Sequence, residues 1–283
     1  MFNLHLVRIN LPRGKSLKII PVGDVHEESP LCDTGRWKNF LRRCRQEDDD
    51  YTWYILLGDP NEFASWGDRN ILLNRKLHKS AVQELDKNAL RNTKNFIRSV
   101  SFMRGRCLGV IEGNHKWEFK SRGSSDEIIA KALEAKFLGG LGCVRIVLSQ
   151  GGRFVNVDVV ATHGKAGGQT AGSTVTQVDK LRSIFPGGDI YIMGHDHERG
   201  VWPKSTLILQ NDGHRGKLVL KQKRQLLCRS GSFLRGYVDG EDSYVSDKLL
   251  RPCELGAIKL EVKVKRERIE GEDSTHPDIH ASV

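Results

Sequence analysis

Leu17-Lys18-Ile19-Ile20-Pro21-Val22-Gly23-Asp24-Val25-His26 sets an apolar, β-like run directly against a glycine, a carboxylate and an imidazole. Four other stretches repeat the design. Trp53-Tyr54-Ile55-Leu56-Leu57 runs into Gly58-Asp59, and Cys107-Leu108-Gly109-Val110-Ile111 is followed by Gly113-Asn114-His115. Val157-Asp158-Val159-Val160-Ala161 leads to His163-Gly164, and Ile190-Tyr191-Ile192-Met193 to Gly194-His195-Asp196-His197. The repeated placement puts Asp, Asn and His at the ends of several strands, where one compact site can be assembled from distant parts of the chain.

Outward from these runs, the 283 residues suit one large α/β domain or two small ones. Strand-like and helical stretches alternate at first. Val82, Leu85, Ala89, Phe96, Ile97 and Val100 recur at helical spacing between about Lys79 and Phe102. A second helix is expected from Asp126 to near Gly139-Gly140. From Val144 onward β-like runs dominate, and Gln150-Gly151-Gly152-Arg153 reads as a hairpin turn. One domain is expected over 1–265, followed by a polar, mobile tail over 266–283 that contains Pro277 and little apolar pattern.

The chain shows no apolar run of the roughly 18 residues that would span a bilayer and no secretory signal, so no membrane association is expected. Its six cysteines are scattered without a Cys-x-x-Cys pair, which favours buried free thiols and a reducing, cytoplasmic setting. The formal charge of +10 is concentrated. Between Arg69 and Arg106 ten Lys or Arg face only Glu84 and Asp86, and Arg215 to Arg229 contains no acid. Such blocks favour an anionic partner, nucleic acid included; the alternative is a solvated helix face and a charged hairpin.

Each segment alone is weak. Asp24 and His26 stand two apart, so on an extended backbone both side chains project the same way and can grip one cation. Asp59 offers two oxygens and can bridge two metals, although alone it reads more readily as a turn or cap residue. Asn114 contributes an amide oxygen suited to a borderline divalent cation, while His115 projects differently and can face substrate. His163, His195 and His197 are each as readily structural as ligating. Seven potential ligands after five strand-like runs change that balance. Their N/O character suits Mn, Fe or Zn with no thiolate. Two such metals about 3.5–4 Å apart would hold a hydroxide between them and neutralise phosphate oxygens during in-line attack.

The ordered set Asp24-x-His26, Gly58-Asp59, Gly113-Asn114-His115, His163-Gly164, Gly194-His195-x-His197 resembles the calcineurin-like metallophosphoesterase superfamily from about residue 18 to 200. That resemblance implies an α/β fold of two mixed β-sheets packed as a sandwich and flanked by helices, with a dinuclear centre at strand ends. It also implies that Asp24, His26 and His197 hold one metal, that Asn114, His163 and His195 hold the other, and that Asp59 bridges them. His115 would act at the leaving oxygen as the catalytic residue. Two positions depart from the pattern: Glu62 stands where Asp or Asn is common, and Lys116 where an acid is frequent. The absence of Asp-Arg-Gly after Asp59 disfavours protein phosphatase activity. Gly231-Ser232-Phe233-Leu234-Arg235-Gly236-Tyr237 is similar to a segment of phage or prophage members.

The expected activity is therefore a phosphoesterase with two divalent metal ions, Mn foremost and Fe or Zn as alternatives. Phosphodiesters in nucleic acid or nucleotides are its expected substrates. The competing readings are a phosphomonoesterase acting on nucleotides or other small phosphoesters, and a non-catalytic nucleic-acid-binding protein. The glycine-rich stretch from Gly164 to Thr170 lacks P-loop spacing and reads as a loop beside His163. Trp66 and the other tryptophans read as core or rim aromatics, with Trp117 closest in sequence to the site; His5, His78, His214, His276 and His280 have no assigned role.

Overall fold

The computed structural model describes residues 2–62, 78–119, 122–165, 170–211, 218–247, 249–269 and 272–283. Within these, the chain begins with strands β1 (Phe2–Asn10) and β2 (Leu17–Val22), then helix α1 (Thr34–Gln46) and β3 (Thr52–Leu56). After α2 (Lys79–Ser99) come β4 (Cys107–Ile111), the short pair β5 (Glu118–Phe119) and β6 (Gly123–Ser124), α3 (Ser125–Ala132) and β7 (Phe137–Gly139). The hairpin β8 (Leu141–Gln150) and β9 (Arg153–Thr162) leads to α4 (Ala171–Ile184) and β10 (Ile190–Met193). A long hairpin, β11 (Arg199–Asn211) and β12 (Leu218–Ser230), is followed by α5 (Tyr244–Asp247), β13 (Lys259–Ile269) and β14 (Glu272–Ser282).

Local chemistry accounts for most boundaries. Asp33 caps α1 by accepting from the Arg36 N–H at 2.9 Å, and Trp37, Leu41 and Cys44 form its buried stripe. Ser124 and Glu127 make a capping box on α3, which stops at Ala132 instead of reaching Gly139 because Phe137–Gly139 pairs as β7. At the β8–β9 turn Gly151 and Gly152 both have positive φ, 56° and 78°, as a two-residue hairpin of this hand requires.

The expected sandwich of two helix-flanked sheets is not what forms. Twelve strands make one mixed sheet in the order β11-β12-β10-β9-β8-β1-β7-β4-β3-β2-β13-β14, curled nearly into a barrel, and strand outweighs helix. The joint is β1, which lies parallel to β8 along its whole length and meets β7 at Phe2–Gly139, so both halves share one hydrogen-bonded ladder. Arg266 Nη2 donates to the Gln150 carbonyl at 3.0 Å and Arg153 Nη1 to Thr275 Oγ1 at 2.9 Å, bringing β13–β14 against the β8–β9 turn. The polar tail is a second correction. Residues 272–282 pair with β13 throughout, Pro277 is tolerated because β14 is an edge strand, and Ile279 is buried.

Residues of the same strands divide between different cores. Ile19, Ile55, Leu108, Val159 and Ile192 point into the enclosed face of the sheet. Ile20, Tyr54 and Val110 pack outward with Trp37, Phe96 and Ile129 from α1, α2 and α3, whereas Val160 and Tyr191 pack with Val178 and Leu181 from α4. Strands buried on both faces read as continuous apolar runs, which is what the five opening segments are. The pairings also give β2, β3, β4, β9 and β10 one common direction, so their carboxyl ends emerge at one pole. Among the described residues no helix is long and apolar enough to cross a membrane.

Candidate metal centre

The loops leaving β2 and β3 are laced together. Asp24 N–H donates to Gly58 O at 3.2 Å, Val25 and His26 N–H to Asp59 O at 3.0 and 3.1 Å, and Glu27 N–H to Pro60 O at 3.0 Å. Gly58 has φ +87°, and a Cβ there would stand 2.5 Å from Gly113 Cα; a Cβ on Gly113 would stand 2.1 Å from Asp59 Oδ1. These glycines let the third loop touch the second, and the His115 N–H then donates to Asp59 Oδ1 at 2.9 Å. Across the sheet, His195 N–H donates to Asp24 Oδ2 at 2.9 Å, tying the last segment to the first.

Backbone conformation sets the site apart. Among the described residues seven non-glycine positions have positive φ, and five of them are Asp24 (51°), His26 (50°), Asp59 (50°), His195 (74°) and His197 (62°). Each such residue costs on the order of 1–3 kcal/mol and persists only where its surroundings over-determine it. Strain concentrated on these residue types marks a site built for them.

The side chains gather into two adjoining groups. In one, ligand atoms of Asp24, His26 and His197 lie within 4.8 Å of one another, with His197 Nε2 at 3.6 Å from Asp24 Oδ1. In the other, Asp59, His163 and His195 do the same, and Asn114 joins them: its Oδ1 is 2.5 Å from His163 Nε2 and 2.9 Å from His195 Nδ1. His163 Nε2 is also 3.1 Å from Asp59 Oδ2, while its Nδ1 donates to the Leu57 carbonyl at 2.7 Å and so aims Nε2 into the site. All seven residues named from the sequence are thus brought to one pole. His115 stands beside them, its ring 5.0 Å from that of His26.

Charge follows from this crowding. Burial works against ionisation of Asp59, but the His163, His26 and His115 imidazoles hold its carboxyl well below the usual carboxylate range. Burial pushes Asp24 up to about 6 against the pull of His163 and His26, with Asp59 adding to the push. Burial would likewise lower His163, yet Asp59 outweighs it and raises that histidine to about 10. His195 and His197 are driven the other way, to about 4 and about 3, by burial and then by neighbouring imidazoles. Neutral imidazoles and ionised carboxylates are the forms that ligate metals, so His195 and His197 stand ready to bind while His163 must give up a proton to do so.

The donor set fits divalent cations on an independent observation. Asp24 Oδ1 and His26 Nε2 are buried with no hydrogen-bond partner. Such atoms cost about 1–3 kcal/mol each when nothing satisfies them, and a cation satisfies a carboxylate oxygen and an imidazole nitrogen together.

Three contributors escaped the sequence reading. Glu62, noted only as a departure, spans two histidines: Oε1 lies 3.0 Å from His115 Nδ1 and Oε2 2.5 Å from His26 Nδ1, the latter without hydrogen-bond alignment. Asp126, read as a helix start, is fully buried and accepts from Gly113 N–H at 2.8 Å, and burial raises it to about 7. Ser232, just beyond the end of β12, donates from Oγ to the Asp24 carbonyl at 2.8 Å. Position three after Asp59 could have revealed Glu62; the other two act over distances in sequence that no local pattern shows. The stretch Ala166–Gln169, Trp66, His214 and the parts of both basic blocks at 63–77 and 212–217 lie outside the described residues.

No protein-family model matches the chain, and comparison with curated proteins gives no match.

Proposed function

We propose that the chain is a dinuclear-metal phosphoesterase that hydrolyses phosphodiester bonds in nucleic acid or nucleotides. The observation that carries this reading is the convergence of seven N/O ligands from five strand ends, five of them on strained backbone, around buried ligand atoms without partners. Their order along the chain is the one that resembles calcineurin-like metallophosphoesterases.

Asp24, His26 and His197 would hold one cation, and Asn114, His163 and His195 the second, with Asp59 shared. Mn is favoured, and Fe and Zn suit the same donors. Bound there, such cations supply Lewis-acid stabilisation of phosphoryl oxygens. The chain's own acid–base group is His115. Glu62 engages its Nδ1 and orients the ring, so that Nε2, 4.0 Å from Asp59 Oδ2, is the nitrogen that would give a proton to the leaving oxygen.

A polyanionic substrate is supported by α2. The Trp117 indole donates to Asp86 at 2.8 Å, joining this helix to the loop that carries His115. From there Lys87, Arg91, Lys94 and Arg98, all exposed, recur at helical spacing as a cationic stripe. The six cysteines are all free thiols, in keeping with a reducing cytoplasmic setting.

The decisive test is a metal-by-substrate screen over single- and double-stranded DNA, RNA, cyclic nucleotides, nucleoside monophosphates and aryl phosphoesters. Asp59→Asn should abolish turnover, and His115→Ala should lower kcat by about 10²–10⁴-fold while metal uptake persists. Hydrolysis of monoesters alone would move the assignment to a phosphomonoesterase. Nucleic-acid binding with no hydrolysis under any metal would make the chain a binding protein.

A further inference from the structure

Arg229 belongs to the second basic block, yet it is fully buried, so it takes no part in meeting an anionic partner at the surface. It sits near the end of β12 on the face covered by α4, in register with Met193 of β10 and Gly200 of β11. Its guanidinium gathers two carbonyl acceptors and, as an ion pair, one carboxylate. Nη1 donates to the Gly194 carbonyl at 2.6 Å, Nη2 donates to the Thr174 carbonyl of α4 at 3.2 Å, and Nη2 pairs with Asp196 Oδ2 at 3.0 Å.

We propose that Arg229 is a positioning residue for the loop that presents His195 and His197, with Asp196 as its neutralising partner. The inference rests on the dimetal reading above. Gly194 and Asp196 bracket His195, and Asp196 directly precedes His197, so one planar group fixes the loop on both sides of a ligand. The loop needs such bracing because both histidines sit at positive φ. A buried ion pair is a poor device for stability alone, since apolar residues of similar volume often serve as well or better. It is a good device for tying two carbonyls and a carboxylate to one rigid group. Asp196 has a second effect: without it, a bare guanidinium would face a site meant for cations.

The test compares Mn²⁺ affinity by calorimetric titration with the urea midpoint measured in chelator, for wild type, Arg229→Met, Asp196→Asn and the double variant. Removing only Arg229 should weaken Mn²⁺ binding about 10–100-fold, the usual effect of losing a group that orients metal ligands. In the double variant neither charge is left unpaired, so the urea midpoint should rise from that of Arg229→Met while Mn²⁺ affinity stays low. Recovery of both together would reduce the pair to a structural role and overturn the proposal. Wild-type affinity in Arg229→Met would overturn it as well, leaving the dimetal reading intact. Should Arg229→Met fail to fold, Arg229→Lys keeps the charge but cannot reach both carbonyls and the carboxylate together; weakened Mn²⁺ binding is expected, and full affinity would refute the proposal. A wild type that takes up no Mn²⁺, Fe²⁺ or Zn²⁺ would remove the dimetal reading and this inference with it.

Discussion

Gly58 and Gly113 touch backbone to backbone, and the position of Asp59 depends on that contact. Gly113→Ala would drive a methyl group into the Asp59 carboxylate, so loss of Mn²⁺ uptake is expected from a single added carbon. Calorimetric titration checks this, and wild-type binding would mean the two loops can part without harm. The histidines give a pH signature at the same scale. His195 and His197 are held from the ordinary 6.5 down to about 4 and about 3. As pH falls below 6.5 these two side chains take up protons in the unfolded chain but not in the folded one, so their contribution to folding stability is lost through that window down to about 3, while Asp24 and Asp126, raised to about 6 and about 7, act in the opposite sense. His195→Gln should remove that histidine's share of the loss, read as the difference from wild type in urea midpoints measured in chelator across the same range. Both effects concern residues the sequence singled out, but their size is set by neighbours it did not identify.

Elements differ in how legible they were. The helical spacing between Lys79 and Phe102 became α2, and the Gly151-Gly152 turn became a two-residue hairpin, because both are decided within a few residues. The run from Asp126 was read too long, since pairing of Phe137–Gly139 with β4 overrides its helical preference. α2 also carries a prediction of its own. Replacing Lys87, Arg91, Lys94 and Arg98 with Gln should weaken duplex DNA binding and lower the slope of log Kd against log salt by about 0.9 for each phosphate no longer neutralised. Hydrolysis of a small aryl phosphoester should not change. An unaltered slope would make the stripe an ordinary solvated helix face.

In the whole molecule the main correction lies in how the strands join. β1 bonds to strands on both sides, turning what two separate sheets would have been into one curled sheet. At the far edge β14 covers β13, and Ile279 and Ala281 extend the enclosed core. Truncation after Ile269 should therefore lower the urea midpoint and promote concentration-dependent aggregation through the uncovered β13 edge. A midpoint equal to that of the full chain would show that the edge strand contributes nothing to folding.

The sequence by itself determined five apolar runs, the polar residues that end them and the ligand types those residues offer. These are local matters: strand propensity, glycine freedom and donor chemistry are written into a few consecutive residues. Only the tertiary structure decided that the five carboxyl ends share one pole and that Asp24, Asp59, His195 and His197 sit on strained backbone. The roles of Glu62, Asp126 and Arg229 also emerged only there. Those outcomes depend on pairing between segments far apart in the chain, as in the Asp24–His195 hydrogen bond across 171 positions. Sheet order and loop lacing are cooperative properties of the packed core, and no single stretch of the chain encodes them.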